Sequence, residues 1–128
     1  MLYEPYTIEE VKKSAEQKLF TVISTFAGGG GSSTGYKLAG GNILCVNEFV
    51  DAALDTYFAN YDGTPYLNGD ILKLDGFDFL DMTGLKLGEL DILDGSPPCS
   101  AFSIAGRREK GWGTEKKYSE DKKVKNVE

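Results

Sequence analysis

Apolar and polar residues fall into short blocks along this chain, and the period of the blocks changes repeatedly. Residues 19–24 (Leu-Phe-Thr-Val-Ile-Ser) are β-branched and aromatic, too few for a helix, and predict a buried strand. Residues 42–47 predict a second strand, 65–68 a short third, and 90–94 a fourth, buried strand. Between them the spacing is helical. Residues 7–17 form an amphipathic pattern with Thr7 at the N-cap and Glu10 at capping-box distance, and their polarity predicts a surface helix. A second helix runs from a cap at Ser32 or Ser33 to about Ala39, stopped by Gly40-Gly41. A third spans 50–60, with Ala53, Leu54, Tyr57 and Phe58 at i, i+3, i+4 positions. Residues 72–88 read as a connector with a helix near 77–82. From Ala105 the chain is glycine-rich, then charged, and its last stretch from Tyr118 reads as a loop or a helix. Strand and helix alternate, which predicts an α/β fold of about four parallel strands with crossover helices. Right-handed crossovers bring all the strands' carboxyl ends to one edge.

Four chemically distinctive features fall at that edge, where open α/β sheets bind ligands. After the first strand comes a glycine loop within residues 25–35. Glu48 follows the second strand, Asp70 the third, and Cys99 the fourth, in the turn Gly95-Ser96-Pro97-Pro98-Cys99-Ser100-Ala101-Phe102-Ser103. The two prolines stiffen this turn and remove two backbone donors. Three cofactor readings compete for the glycine loop. A phosphate cradle fits the spacing of Gly30 and Gly35, but Tyr36 stands where lysine is required. A dinucleotide fingerprint fits Gly28 and Gly30, but Ser33 occupies the third glycine's place. The third reading is S-adenosylmethionine, whose sites use a similar turn without phosphate donors. Glu48, about twenty positions on, stands where a carboxylate would accept hydrogen bonds from both hydroxyls of a ribose. Phe49 would stack on adenine, and Asp70 would accept from the adenine amino group. The plain alternatives are a helix-terminal charge for Glu48, a turn former for Asp70 and a buried loop thiol for Cys99.

Composition narrows the chemistry. At 128 residues, 41% hydrophobic, the chain is one folded domain. It has no apolar run near the ~20 residues of a membrane span. Its start lacks the basic head and apolar segment of a secretory signal, so a cytoplasmic protein without a membrane partner is expected. Two cysteines and no histidine exclude Ser-His and Cys-His pairs and histidine-bound zinc. Cys45 and Cys99 lack C-x-x-C spacing, so neither a metal site nor, in the cytoplasm, a structural disulfide is expected. The net charge of −6 hides an asymmetry: residues 1–106 carry 6 Lys/Arg against 15 Asp/Glu, and residues 107–128 carry 8 against 5. Any contact with nucleic acid is therefore expected from the tail and the loop before it.

Taken together, these motifs resemble one family, the DNA cytosine-5 methyltransferases, over roughly residues 19–112. Phe26-Ala27-Gly28-Gly29-Gly30-Gly31 resembles its F-x-G-x-G cofactor loop. Asn47-Glu48, followed by Ala52 to Tyr57 and Asn60, resembles its ribose-binding acid and next helix, and Gly69-Asp70-Ile71 its adenine turn. The segment from Gly95 to Ser103, with Ala105-Gly106, resembles its catalytic Pro-Cys motif. Departures are Ser100 where members usually carry glutamine, Ser24 where an acidic residue commonly opens the loop, and Gly29 in place of an apolar residue.

The resemblance implies an incomplete Rossmann-like S-adenosylmethionine-dependent methyltransferase fold. Residues 1–128 would be its N-terminal, cofactor-binding part, with 1–18 an extension helix and 105–128 a mobile catalytic loop and basic tail. It implies S-adenosylmethionine held by Phe26, Ala27, Gly28, Gly30, Glu48, Phe49, Asp70, Ile71 and Pro97, and Cys99 as the nucleophile that adds to C6 of cytosine. The thiolate is the reactive form, and a helix beginning near Ser100 is a candidate for stabilising it. Double-stranded DNA with the target base flipped out is the implied substrate. Ser103, which also reads as a helix cap, Arg107 and Arg108 are placed on the DNA side. The family's Glu-Asn-Val and Gln-x-Arg motifs, target-recognition domain and last helix do not occur in these residues. The expectation is thus a fragment or split-enzyme subunit, inactive alone, that pairs with a complementary C-terminal half or self-associates through an exposed sheet edge. A non-catalytic adenosine-cofactor module and an RNA cytosine-5 methyltransferase fragment are the alternatives.

Overall fold

A computed structural model describes residues 4–98, together with the backbone of 115–119 and 122–125. The chain divides into two compact units, residues 1–96 and 97–128. The first is the α/β fold that the alternation predicts. Its elements are α1 (Ile8–Ala15), β1 (Phe20–Thr25), α2 (Gly31–Leu38), β2 (Gly41–Glu48), α3 (Asp51–Asn60), β3 (Tyr66–Asn68), a 3₁₀ turn (Ile71–Lys73), α4 (Gly76–Thr83) and β4 (Ile92–Gly95). The four strands form one sheet in the order β3-β2-β1-β4, and every neighbouring pair is parallel. The chain steps outward from β1 to β3 and then crosses to the other side of β1. The order therefore reverses between β1 and β4, and the crevice at a reversal point is where such sheets take ligands.

Each face of the sheet has its own core. Val22, Ile43 and Val46 pack with Val11 of α1, Tyr57 and Tyr61 at α3 and its end, and Ala27 of the loop after β1. On the opposite face Ile23 and Cys45 meet Phe79 of α4, flanked by Leu67, Ile71, Leu74 and Leu90. Pleating sends neighbouring residues of β1 to opposite faces, so Val22 and Ile23 serve different cores. The anticipated positions of α3 hold: Leu54 and Tyr57 are buried, Ala53 and Phe58 half-buried.

Several local expectations are corrected. The α2 cap is Gly30, at φ +101°, rather than Ser32 or Ser33; Ser33 is buried and accepts a hydrogen bond from the Tyr57 hydroxyl at 2.9 Å. The fourth strand begins at Ile92 and is an edge strand, so Leu93 is 69% exposed instead of buried. The side chain of Asp91 starts its pairing early, accepting from the Thr21 backbone N–H at 2.8 Å and its hydroxyl at 3.0 Å. In the second unit, β5 (Glu115–Ser119) and β6 (Lys122–Lys125) pair antiparallel, where a loop or helix was expected. That stretch carries no apolar alternation to announce a strand.

The helix at 7–17 is an element of the fold as well as of the surface. Thr7 and Glu10 form the reciprocal capping box, and Val11 is fully buried in the first core. Val11→Ala is expected to lower the unfolding free energy by roughly 2 kcal/mol, two methylene equivalents plus a residual cavity. The exposed Lys13→Ala should change it little. Urea unfolding of the full chain measures both.

Candidate functional site

The loop that leaves β1 is built from strained backbone that its surroundings hold in place. Phe26 sits at φ +53° and Gly28 at +58°, the left-handed region that costs a residue with a Cβ about 1 kcal/mol or more. The Ala27 N–H donates to the Asn47 carbonyl at 3.0 Å, which fastens the loop across the sheet to β2. Gly30 closes the turn against the aromatic floor of α3: a Cβ there would lie 3.1 Å from the Tyr57 ring and 3.3 Å from that of Tyr61. At Gly28, by contrast, a Cβ would meet no atom of the described residues within 4 Å, so among them this backbone is uncovered. Hydroxyls tie loop and helix together. Thr34 donates to the Gly30 carbonyl at 2.9 Å and shares a short hydrogen bond with the Tyr61 hydroxyl.

Glu48, the last residue of β2, is 8% exposed. Its Oε2 accepts from the Gly28 N–H at 2.8 Å. Its Oε1 accepts from the backbone N–H groups of Phe49 and Val50 at 3.0 and 3.1 Å. One carboxylate thus satisfies three donors: two at the start of α3, the helix-terminal role offered for it as the plain alternative, and one in the glycine loop, which no sequence signal announced. A carboxylate offers about four acceptor positions, so roughly one is left for a further donor. Phe49 beside it is 39% exposed.

The third strand's end is tied in by Asn47, another role missed in the sequence. It is buried, and its Nδ2 donates to the carbonyls of Leu67 and Gly69 at 2.9 and 3.1 Å. That pair of bonds fixes where Asp70 leaves the sheet. Asp70 Oδ1 caps the 3₁₀ turn through the Leu72 N–H at 3.0 Å, and Ile71 packs against the second core. Phe26, Ala27, Gly28, Gly30, Glu48, Phe49, Asp70 and Ile71 are therefore gathered on the carboxyl edge of β1, β2 and β3. Pro97 is exposed and belongs to the second unit. Cys99, Ser103, Arg107 and Arg108, the loop at 105–112 and the helix start anticipated near Ser100 lie outside the described residues. Among the described residues no group of three His, Cys, Asp or Glu could hold a metal, and no helix is long and apolar enough to cross a membrane.

The other cysteine, Cys45, is fully buried in β2, and burial pushes its thiol pKa up. It stays protonated and shielded, so iodoacetamide at pH 8 is expected to label Cys45 at least about tenfold more slowly than a free thiol until denaturant is added; peptide mapping of the labelled chain reads this. For Glu48→Gln the amide keeps one acceptor oxygen but turns an NH₂ against a backbone donor. The expected loss is roughly 2–4 kcal/mol, with faster amide hydrogen exchange at Gly28, while Glu9→Gln on the exposed face of α1 changes neither.

The matches to known proteins agree with this edge. Residues 20–118 match the family model of the C-5 cytosine-specific DNA methylases. The chain is 34% identical over 93 residues to the Type II methyltransferase M.AquIA of Picosynechococcus, covering 73% of this chain and 36% of that one. With M.HpaII of Haemophilus parainfluenzae it shares 36% identity over 108 residues, 84% of this chain and 26% of the relative. With M.NgoPII of Neisseria gonorrhoeae the figures are 36% over 85 residues, 66% and 23%. The chain thus spans about a third or less of the length of these relatives. The family match covers β1 to β4 and the whole of the tied edge, leaving only α1 before it, and on that evidence the chain belongs to the C-5 cytosine-specific DNA methylase family.

Proposed function

We propose that residues 4–98 form the S-adenosylmethionine-binding part of a DNA cytosine-5 methyltransferase and that Cys99 is its nucleophile. The observation that carries this reading is the bond from the Gly28 N–H to Glu48, which joins an open glycine turn to a nearly buried carboxylate at the sheet's ligand-binding edge. The residues present fit the cofactor. Among the described residues nothing stands over the Gly28 backbone, so a ligand can approach it closely. Glu48 has acceptor capacity for one ribose hydroxyl, one fewer than a diol offers. The Phe49 ring supplies a stacking surface for adenine, and the second oxygen of Asp70 has capacity for the adenine amino group. Phe26, Ala27, Gly30, Ile71 and Pro97 complete the set.

When bound, S-adenosylmethionine supplies the methyl group. The chain's own part in the chemistry is nucleophilic. The Cys99 thiolate adds to C6 of a flipped cytosine, and the electron pair of the C5–C6 bond moves to C5, which becomes able to take an electrophile. After the C5 proton leaves, the C6–S bond breaks, the double bond returns and the thiolate is regenerated. With no histidine in the chain, no imidazole of this chain activates Cys99. Ser103, Arg107 and Arg108 are assigned to the DNA side, the two arginines within the basic stretch 107–128. The arginines suit phosphate contacts.

A tagged chain isolated natively, with any companion polypeptide retained, tests this. S-adenosylmethionine binding by calorimetry and a covalent adduct with a 5-fluorocytosine duplex are expected. Cys99→Ser should abolish the adduct and leave cofactor affinity within about twofold. Absence of cofactor binding, or an adduct that survives Cys99→Ser, contradicts the proposal.

A further inference from the structure

The crevice between β1 and β4 holds a carboxylate that the site as described does not use. Asp94 is the register partner of Ser24 across the two strands, so their side chains share a face of the sheet. Ser24 is fully buried, and its hydroxyl donates to Asp94 Oδ2 at 3.2 Å. From α2, Tyr36 lies close enough to the same carboxylate to feel its charge. Burial first, and then the Asp94 charge, push the Tyr36 pKa up, which keeps this phenol a proton donor. The strand end itself is pinned: Thr25 Oγ1 donates to the Asp94 carbonyl at 3.0 Å, and a Cβ on Gly95 would come within 2.7 Å of Thr25 Oγ1.

Asp94 differs from the other acids at this edge in what it binds. Glu48 spends its charge on three backbone N–H groups, and Asp70 caps a turn. The partners of Asp94 are neutral hydroxyls, and among the described residues no lysine or arginine pairs with it. A half-buried carboxylate held only by hydroxyls keeps its field directed at the crevice, where an incoming cation gains most from it. Beta strands lie about 4.8 Å apart, so β4 is roughly 10 Å from β2 and Glu48. That distance is of the order of an extended chain from a ribose to the end of an amino-acid substituent.

Resting on the reading above, in which Glu48 takes the ribose, we infer that Asp94 is a specificity-determining residue that recognises the α-ammonium of the cofactor's amino-acid end. Ser24 and Tyr36 are its positioning residues. The edge then reads the ligand at two points, adenosine at β2 and cationic amino acid at β4.

Two ligands separate this role from a structural one. S-adenosylhomocysteine carries the amino-acid end, and 5′-methylthioadenosine lacks it. Calorimetry on the full chain is expected to show Asp94→Asn weakening S-adenosylhomocysteine by about tenfold or more and 5′-methylthioadenosine by less than twofold. The double variant Ser24→Asp with Asp94→Ser moves the carboxylate across the register pair and should recover the preference. Equal weakening of both ligands by Asp94→Asn would make Asp94 a structural tie, and no change in either would leave it no role in binding; both results overturn the inference. If the unaltered chain binds neither ligand, the cofactor reading falls and this inference with it.

Discussion

One carboxylate holds the carboxyl edge of the sheet in shape. Glu48 gathers the N–H groups of Gly28, Phe49 and Val50, donors that belong to two different strand-to-helix turns. Backbone donors at such turns have no ladder partner and cost free energy if buried unpaired. A neutral acceptor would satisfy them less strongly, because hydrogen bonds to an ionised group are worth about twice those between neutral ones. The left-handed residues of the loop, Phe26 and Gly28, persist because their surroundings over-determine them. The surroundings here are Glu48, the Asn47 carbonyl and the tyrosine floor.

The ties run on across the sheet. Asn47 receives the loop's Ala27 N–H on its carbonyl and holds the third strand's end through its side chain. Asp94 is met by Ser24 and Tyr36 on the other flank. The ends of β1, β3 and β4 are thereby held by side chains that emerge from a neighbouring strand, and the end of β2 by its own Glu48. Such an edge is preorganised: little backbone has to be ordered when a ligand arrives, and the ordering cost that weakens binding is small.

The two sheet faces share this stabilising work unequally. Three helices cover the face that carries Val22 and Val46, while α4 alone contributes Phe79 to the other. Beyond α4 that second face reaches β4, where Leu93 stands exposed on an edge strand. The family match spans both faces and the edge, so the matched segment is a layered structure with its own cores.

Much of this was legible in the linear chain. The alternation of β-branched runs with helical spacing fixed the α/β class and the parallel sheet, because residue period and run length are properties of the local sequence. The capping box at Thr7 and the glycine-rich turn were equally readable. What only the tertiary structure decided is partnership. Glu48 was visible as an acid at the right distance from the glycines, but its hold on Gly28 depends on β1 and β2 lying side by side with a register that no local pattern encodes. For the same reason Ser33 meets the hydroxyl of a tyrosine 24 residues away while Gly30 caps α2, and Asp94 found Ser24 at a separation of 70. Local chemistry selects the elements. Strand order and register select which side chains meet, since those contacts exist only once distant segments have packed.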